Sequence, residues 1–128
     1  MGSAEIRVSG FSGSADARAV LNAPGICTIV RERMEQIDKH GFTLEHDLGH
    51  KPEDLGLAAL AYLQIAISQL RGNEPRDGQG ARAPGAWPWE PLSFHPGDVH
   101  ANVAKAAAIA WALLDRLQDL PRADEVQH

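Results

Sequence analysis

Leu55-Gly56-Leu57-Ala58-Ala59-Leu60-Ala61-Tyr62-Leu63-Gln64-Ile65-Ala66-Ile67-Ser68-Gln69-Leu70 runs without a single charge and without the alternation that marks a half-buried strand. Leucine, isoleucine and alanine recur on every side of a helical projection, which predicts a central, largely buried helix. Pro52 suits its first turn, because the missing N–H is unbonded there in any case. Glu53 and Asp54 stand at the positive end of its dipole, and Gly72 follows Arg71 as a stop. The run falls short of the roughly 20 apolar residues that cross a bilayer. Alanines between the large residues allow a neighbouring helix to approach closely.

The flanking sequence reads as further helices. Ile26, Ile29, Val30, Met34 and Ile37 recur at helical spacing and predict an amphipathic helix over Ile26–His40, closed by Gly41. Ahead of it, Ser14 caps a short helix to Leu21 that stops at Asn22-Ala23-Pro24-Gly25. Asp98 caps a last helix reaching Leu120, where Pro121 ends it, with Val103, Ala106, Ala110, Leu113, Leu117 and Leu120 as its packing seam. Gly41–His50 reads as an ordered connector. Residues 72–97, rich in proline and glycine, form a long loop whose first half, Gly72–Gly85, is expected to be mobile and whose second half is anchored by Trp87-Pro88-Trp89. Residues 1–13, with one short strand-like stretch at Glu5-Ile6-Arg7-Val8, and residues 121–128 read as mobile ends. The fold class is therefore all-α: one domain over 1–128, a small bundle of three to four helices.

With 128 residues the chain is long enough for one hydrophobic core. Seventeen acidic residues against twelve basic ones give a net charge of −5, so the whole molecule has no field that would draw in DNA or an anionic membrane, which leaves room for a local basic pocket. Cys27 is the only cysteine and fits a reducing compartment as a buried helix residue. No signal pattern opens the sequence, and Ile6 stands where a myristoylation motif needs Ser or Thr. A cytoplasmic location is expected.

Several polar residues lie where chemistry is possible. At about 100° per residue, Arg33, Gln36 and His40 follow one border of the apolar stripe of their helix, while Arg31, Glu35 and Asp38 point to water. A charge beside a core is costly unless it is paired, faces a ligand, or snorkels to solvent. On the last helix Asp98, Asn102 and Lys105 share a narrow sector beside the seam. Lys105 can neutralise a phosphate and Asn102 can read a base or sugar edge, or Asp98 is an N-cap with two solvated neighbours. Arg116 falls on the polar side. His46-Asp47-Leu48-Gly49-His50 has the histidine spacing of a zinc-protease helix, but Gly49 and Pro52 oppose a continuous helix, so no metal is expected, and the histidines are read as groups around the next helix start. Trp87 and Trp89 are either core plugs or a stacking platform for a base.

Glu32-Arg33 followed by Gln36, then Gly41-Phe42-Thr43, Glu45-His46-Asp47 and His50, an alanine-rich helix, Trp87-Pro88-Trp89, and Asn102-Val103 with Lys105-Ala106-Ala107-Ala108 resemble a set of small proteins of tailed phages and prophages. The resemblance spans about residues 28 to 118. More distantly the layout is similar to the all-α nucleotide pyrophosphohydrolases of the MazG type. Those enzymes hold magnesium between a Glu-x-x-Glu pair on one helix and a Glu-x-x-Asp pair on the next. Glu32 and Glu35 match the first pair. In place of the second stands Leu57-Ala58-Ala59-Leu60-Ala61-Tyr62.

The resemblance thus implies a phage-encoded binder of a nucleotide, non-catalytic, sequestering a nucleotide second messenger of host immunity. Its ligand contacts would come from Arg33, Gln36, His40, His46, Asp47, His50, Trp87, Trp89, Asn102 and Lys105. Two alternatives stand beside it. One is a magnesium-dependent pyrophosphohydrolase using Glu32, Glu35 and Asp98; the other is a protein-binding inhibitor of a host enzyme. Because so short a chain leaves the long apolar helix hard to cover, a homodimer or higher symmetric oligomer is expected.

Overall fold

The computed structural model describes residues 14–40 and 51–118, and the side chains of Lys39 and His40 lie outside that description. Four α-helices account for most of it: α1 (Ala15–Val20), α2 (Pro24–His40), α3 (Pro52–Leu70) and α4 (Val99–Leu117), with one 3-10 turn at Pro91–Ser93. No strand occurs among the described residues, so the all-α reading holds. The proposed strand at 5–8, the connector at 41–50 and the C-terminal end lie outside the described residues.

Local chemistry explains the starts of α1 and α4 and the end of α3. Ser14 Oγ accepts from Ala17 N at 3.1 Å, and Asp98 accepts from Ala101 N at 2.8 Å, each satisfying one of the N–H groups orphaned at a helix start. The turn at Leu21–Ala23 is tighter than expected: α2 begins at Pro24, two residues before its first large apolar side chain. Gly72 closes α3 with φ +79°, where Gly72 N bonds Gln69 O and Asn73 N bonds Ser68 O, a left-handed cap that only glycine enters at little cost.

Helix α4 packs along α3 on one side and receives α2 on another. The core joins Leu55, Ala58, Ala61, Tyr62 and Ile65 of α3 to Ala106 and Ile109 of α4 and Phe94 of the loop. Two expectations need correction. Only one face of α3 is buried, since Leu57, Leu60, Leu63, Ile67 and Leu70 remain exposed on the other. The seam of α4 is also turned: Val103, Ala110 and Leu117 face outwards, while Asn102, Ala104, Ala106, Ala108, Ile109 and Ala112 are buried. Small alanines let α4 sink between its neighbours, so the face with the least bulk became the contact face.

The loop after α3 also departs from expectation. Its first half is pinned, with Ala81 and Ala83 against the core and turns closed by Gly78 N to Pro75 O and Ala81 N to Gly78 O. The anchor is Gln69, whose side chain reaches out of α3 into the loop.

Candidate functional site

At the root of the loop, Gln69 and Asn102 are fully buried. Asn102 Nδ2 donates to Gln69 Oε1 at 2.9 Å and to Gly97 O at 2.8 Å, while Asn102 Oδ1 accepts from Gly97 N at 2.8 Å. Gln69 Nε2 donates to Pro75 O, Arg76 O and Gly97 O at 3.0, 3.3 and 3.1 Å. Both amide protons of Asn102 and its oxygen are thereby spent on the protein itself. A buried amide satisfied in this way holds a loop; it has nothing left for a base or a sugar. Asp98, one turn earlier, caps α4.

Above this clasp sits an aromatic cluster. Trp87 meets Tyr62, Phe94 and Trp89 edge-on at 5.5, 5.0 and 5.2 Å between ring centroids, and Tyr62 lies against Phe94 at 4.6 Å. The Trp87 indole Nε1 donates to Glu90 O at 3.0 Å and to Ser93 Oγ at 3.3 Å. Trp87 and Trp89, both half-buried, pack against the core rather than standing out as a platform.

One edge of the cluster is polar and reaches three elements. Tyr62 of α3 accepts from His95 N at 3.1 Å through its hydroxyl. Lys105 of α4 donates from Nζ to His95 O at 2.6 Å and lies 5.5 Å from the Tyr62 ring centroid. Burial pushes the Tyr62 phenol above its ordinary value, the His95 N–H offsets part of that by stabilising phenolate, and the negative charge of Glu32 on α2 pushes it further up. Glu32 of α2 and Lys105 of α4 thus both act on one tyrosine of α3. Arg33, next in sequence to Glu32, is 5% exposed, as is Gln36 one turn later.

The sequence candidates thus fall into separate groups. Arg33 and Gln36 are buried on α2 with Glu32 half-buried beside them, and Lys105 of α4 bonds the loop at His95 O. Asn102, Trp87 and Trp89 serve the loop and core, and Asp98 serves the cap. His40 ends α2 with its side chain outside the described part, and His46, Asp47 and His50 lie outside the described residues. Arg116 is half-buried rather than solvated. Tyr62 and His95 were missed. Tyr62 sits in an apolar run and acquires its role through a backbone amide 33 residues away, which no local pattern signals.

A magnesium site of the pyrophosphohydrolase kind does not fit these residues. Glu32 is half-buried and Glu35 exposed, and the face that α3 turns inward offers Ala58, Ala61, Tyr62, Ile65 and Gln69 but no carboxylate. Among the described residues no three His, Cys, Asp or Glu side chains gather as metal donors, and no helix is long and apolar enough to cross a membrane. Compared with family models, curated proteins and solved structures, the chain finds no match.

Proposed function

We propose that this chain is a non-catalytic binder of a nucleotide or another phosphorylated small molecule, received where α2 meets α4 by Arg33 and Lys105, with Gln36 beside them. The observation that supports the reading is that Lys105 lies over the Tyr62 ring while Glu32, the sequence neighbour of Arg33, acts electrostatically on the same phenol. Two cations on adjoining, partly desolvated helices would suit a phosphate better than any neutral ligand. Asn102, Trp87 and Trp89 drop out of the proposed contacts because the protein's own loop engages them. The absence of inward carboxylates on α3 favours binding over hydrolysis. In the phage setting that the motifs resemble, such a binder in the host cytoplasm would sequester a nucleotide messenger of host immunity.

Native mass spectrometry of protein purified from cells tests this directly, by a retained mass that matches a phosphorylated metabolite. A protein that carries none, and whose melting temperature does not move with any of a panel of nucleotides, would refute it. The inhibitor reading is favoured by a different observation, the outward Val103, Trp111, Leu114 and Leu117 of α4, and would then take precedence.

A further inference from the structure

We propose that the outer face of α3 is the interface with a second copy of this chain, the two α3 helices crossing antiparallel about a twofold axis near Leu63 and Gln64. Leu57, Leu60, Leu63, Ile67 and Leu70 are 38, 43, 41, 40 and 59% exposed. At about 100° per residue they occupy an arc of about 140°, directly opposite the buried face, along about 20 Å of helix. No charged residue interrupts them between Asp54 and Arg71. Water-facing aliphatic side chains in such a continuous row mark a surface built to be covered.

Charge identifies the occupant. Glu53 and Arg71, both exposed, stand eighteen positions apart, five full helical turns, and so project on the same flank of the apolar row. In an antiparallel pair each flank meets its own counterpart, so Glu53 comes within about one turn of the partner's Arg71, twice by symmetry. A parallel pair would put the two copies of this flank on opposite sides of the interface, leaving Glu53 and Arg71 without each other. The same antiparallel register places Leu57 opposite the partner's Leu70 and Leu60 opposite the partner's Ile67, with Gln64 near its own counterpart at the axis. The shallow cleft of about 350 Å³ lined by Gln64, Ile67, Ser68, Arg71 and Asn73 lies on this flank and receives the partner's aliphatic side chains. A single helix face is smaller than the about 800 Å² per partner of a standard interface, so the dimer should dissociate on dilution. The inference does not depend on the ligand.

Sedimentation velocity over a wide concentration range, with circular dichroism to confirm folding, is the test. The wild-type chain should pass from monomer to dimer as concentration rises. Glu53→Arg and Arg71→Glu should each weaken association about five- to tenfold, and the double variant should restore it, because the pairs are exchanged rather than lost. The Gln64→Cys variant should form a disulfide-linked dimer on oxidation, since the buried Cys27 does not compete. A chain monomeric at every concentration would overturn the proposal, whether hydrogen exchange then showed the face covered by the chain's own remaining residues or open to another protein. A dimer insensitive to the charge variants, or one that Gln64→Cys fails to link, would overturn it equally.

Discussion

The side-chain amides of Asn102 and Gln69 meet at 2.9 Å with neither residue exposed, and between them they hold three backbone carbonyls and one backbone N–H of the intervening loop. Helix pairing and loop position are thus coupled through one hydrogen-bonded unit.

Asn102→Ala should lower unfolding free energy by about 1 to 3 kcal/mol, the cost of leaving the buried Gln69 oxygen and the Gly97 N–H without partners, while Gly97 O keeps its bond from Gln69 Nε2. Gln69→Ala should cost a similar amount. Urea denaturation of both single variants and the double variant gives the check: because the residues share partners, the double variant should lose clearly less than the two losses added together. Strict additivity would show that the clasp does not act as a unit.

Gly78 has φ +80°, and a Cβ there would collide with Gly97 O on the opposite side of the loop root. Gly78→Ala should therefore destabilise by more than about 1 kcal/mol, since strain and collision add. Gly80 shares the conformation, at φ +75°, but has nothing within 4 Å, so Gly80→Ala should cost less. Thermal melts of the two variants give the comparison, and equal losses would contradict the close approach.

Which of these features the sequence announced follows from how local their causes are. Ser14, Pro52, Gly72 and Asp98 mark helix ends because a cap is an interaction of three or four neighbouring residues, and the structure has these ends in place. The rotation of α4 was illegible. Val103 and Leu117 outweigh Ala104, Ala108 and Ala112 in any reading by bulk, yet contact with α2 and α3 favours the face that permits the closest approach. The Gln69–Asn102 contact spans 33 residues and was invisible for the same reason. Of the candidate site, Arg33 and Lys105 could be placed at stripe borders from periodicity. Tyr62, over whose ring Lys105 lies, could not.

Tyr62 is the only tyrosine, so tyrosinate absorbance reports it alone. Its phenol should ionise above the ordinary value near 10. A raised folded pKa means that the folded state holds the proton more tightly than the unfolded state. Its contribution to stability is then complete below the unfolded pKa and is lost as pH rises through the folded one. Glu32→Gln should move the titration downwards by removing a negative neighbour. A midpoint at or below that of free tyrosine would contradict the burial, and one unmoved by Glu32→Gln would contradict the placement of α2.

Lys105→Ala should remove about 1.5 to 3 kcal/mol of affinity for a phosphorylated ligand, the scale of a charge-assisted hydrogen bond, and less than about 1 kcal/mol of stability, since the side chain is half-buried. Arg33→Lys keeps the charge but loses the planar fork, so it too should weaken binding. Arg31→Ala, at an exposed position of α2, should leave it unchanged. Calorimetry with the copurifying nucleotide decides. Equal affinities across the series would assign both cations to the helix packing alone.

The deep seating of α4 reverses the usual map of which positions a folding chain can vary. Ala58, Ala61, Ala104, Ala106, Ala108 and Ala112 are all but sealed, and one added methylene at any of them must push two helices apart. Val103, Leu114 and Leu117 have open space beside them and accept polar replacements without disturbing the core. A substitution library selected only for folding would return its invariant columns at alanine and its most permissive ones at the large aliphatic residues of the outer faces. Any leucine that nonetheless proved fixed under selection for activity would be reporting a surface that something outside the monomer must touch.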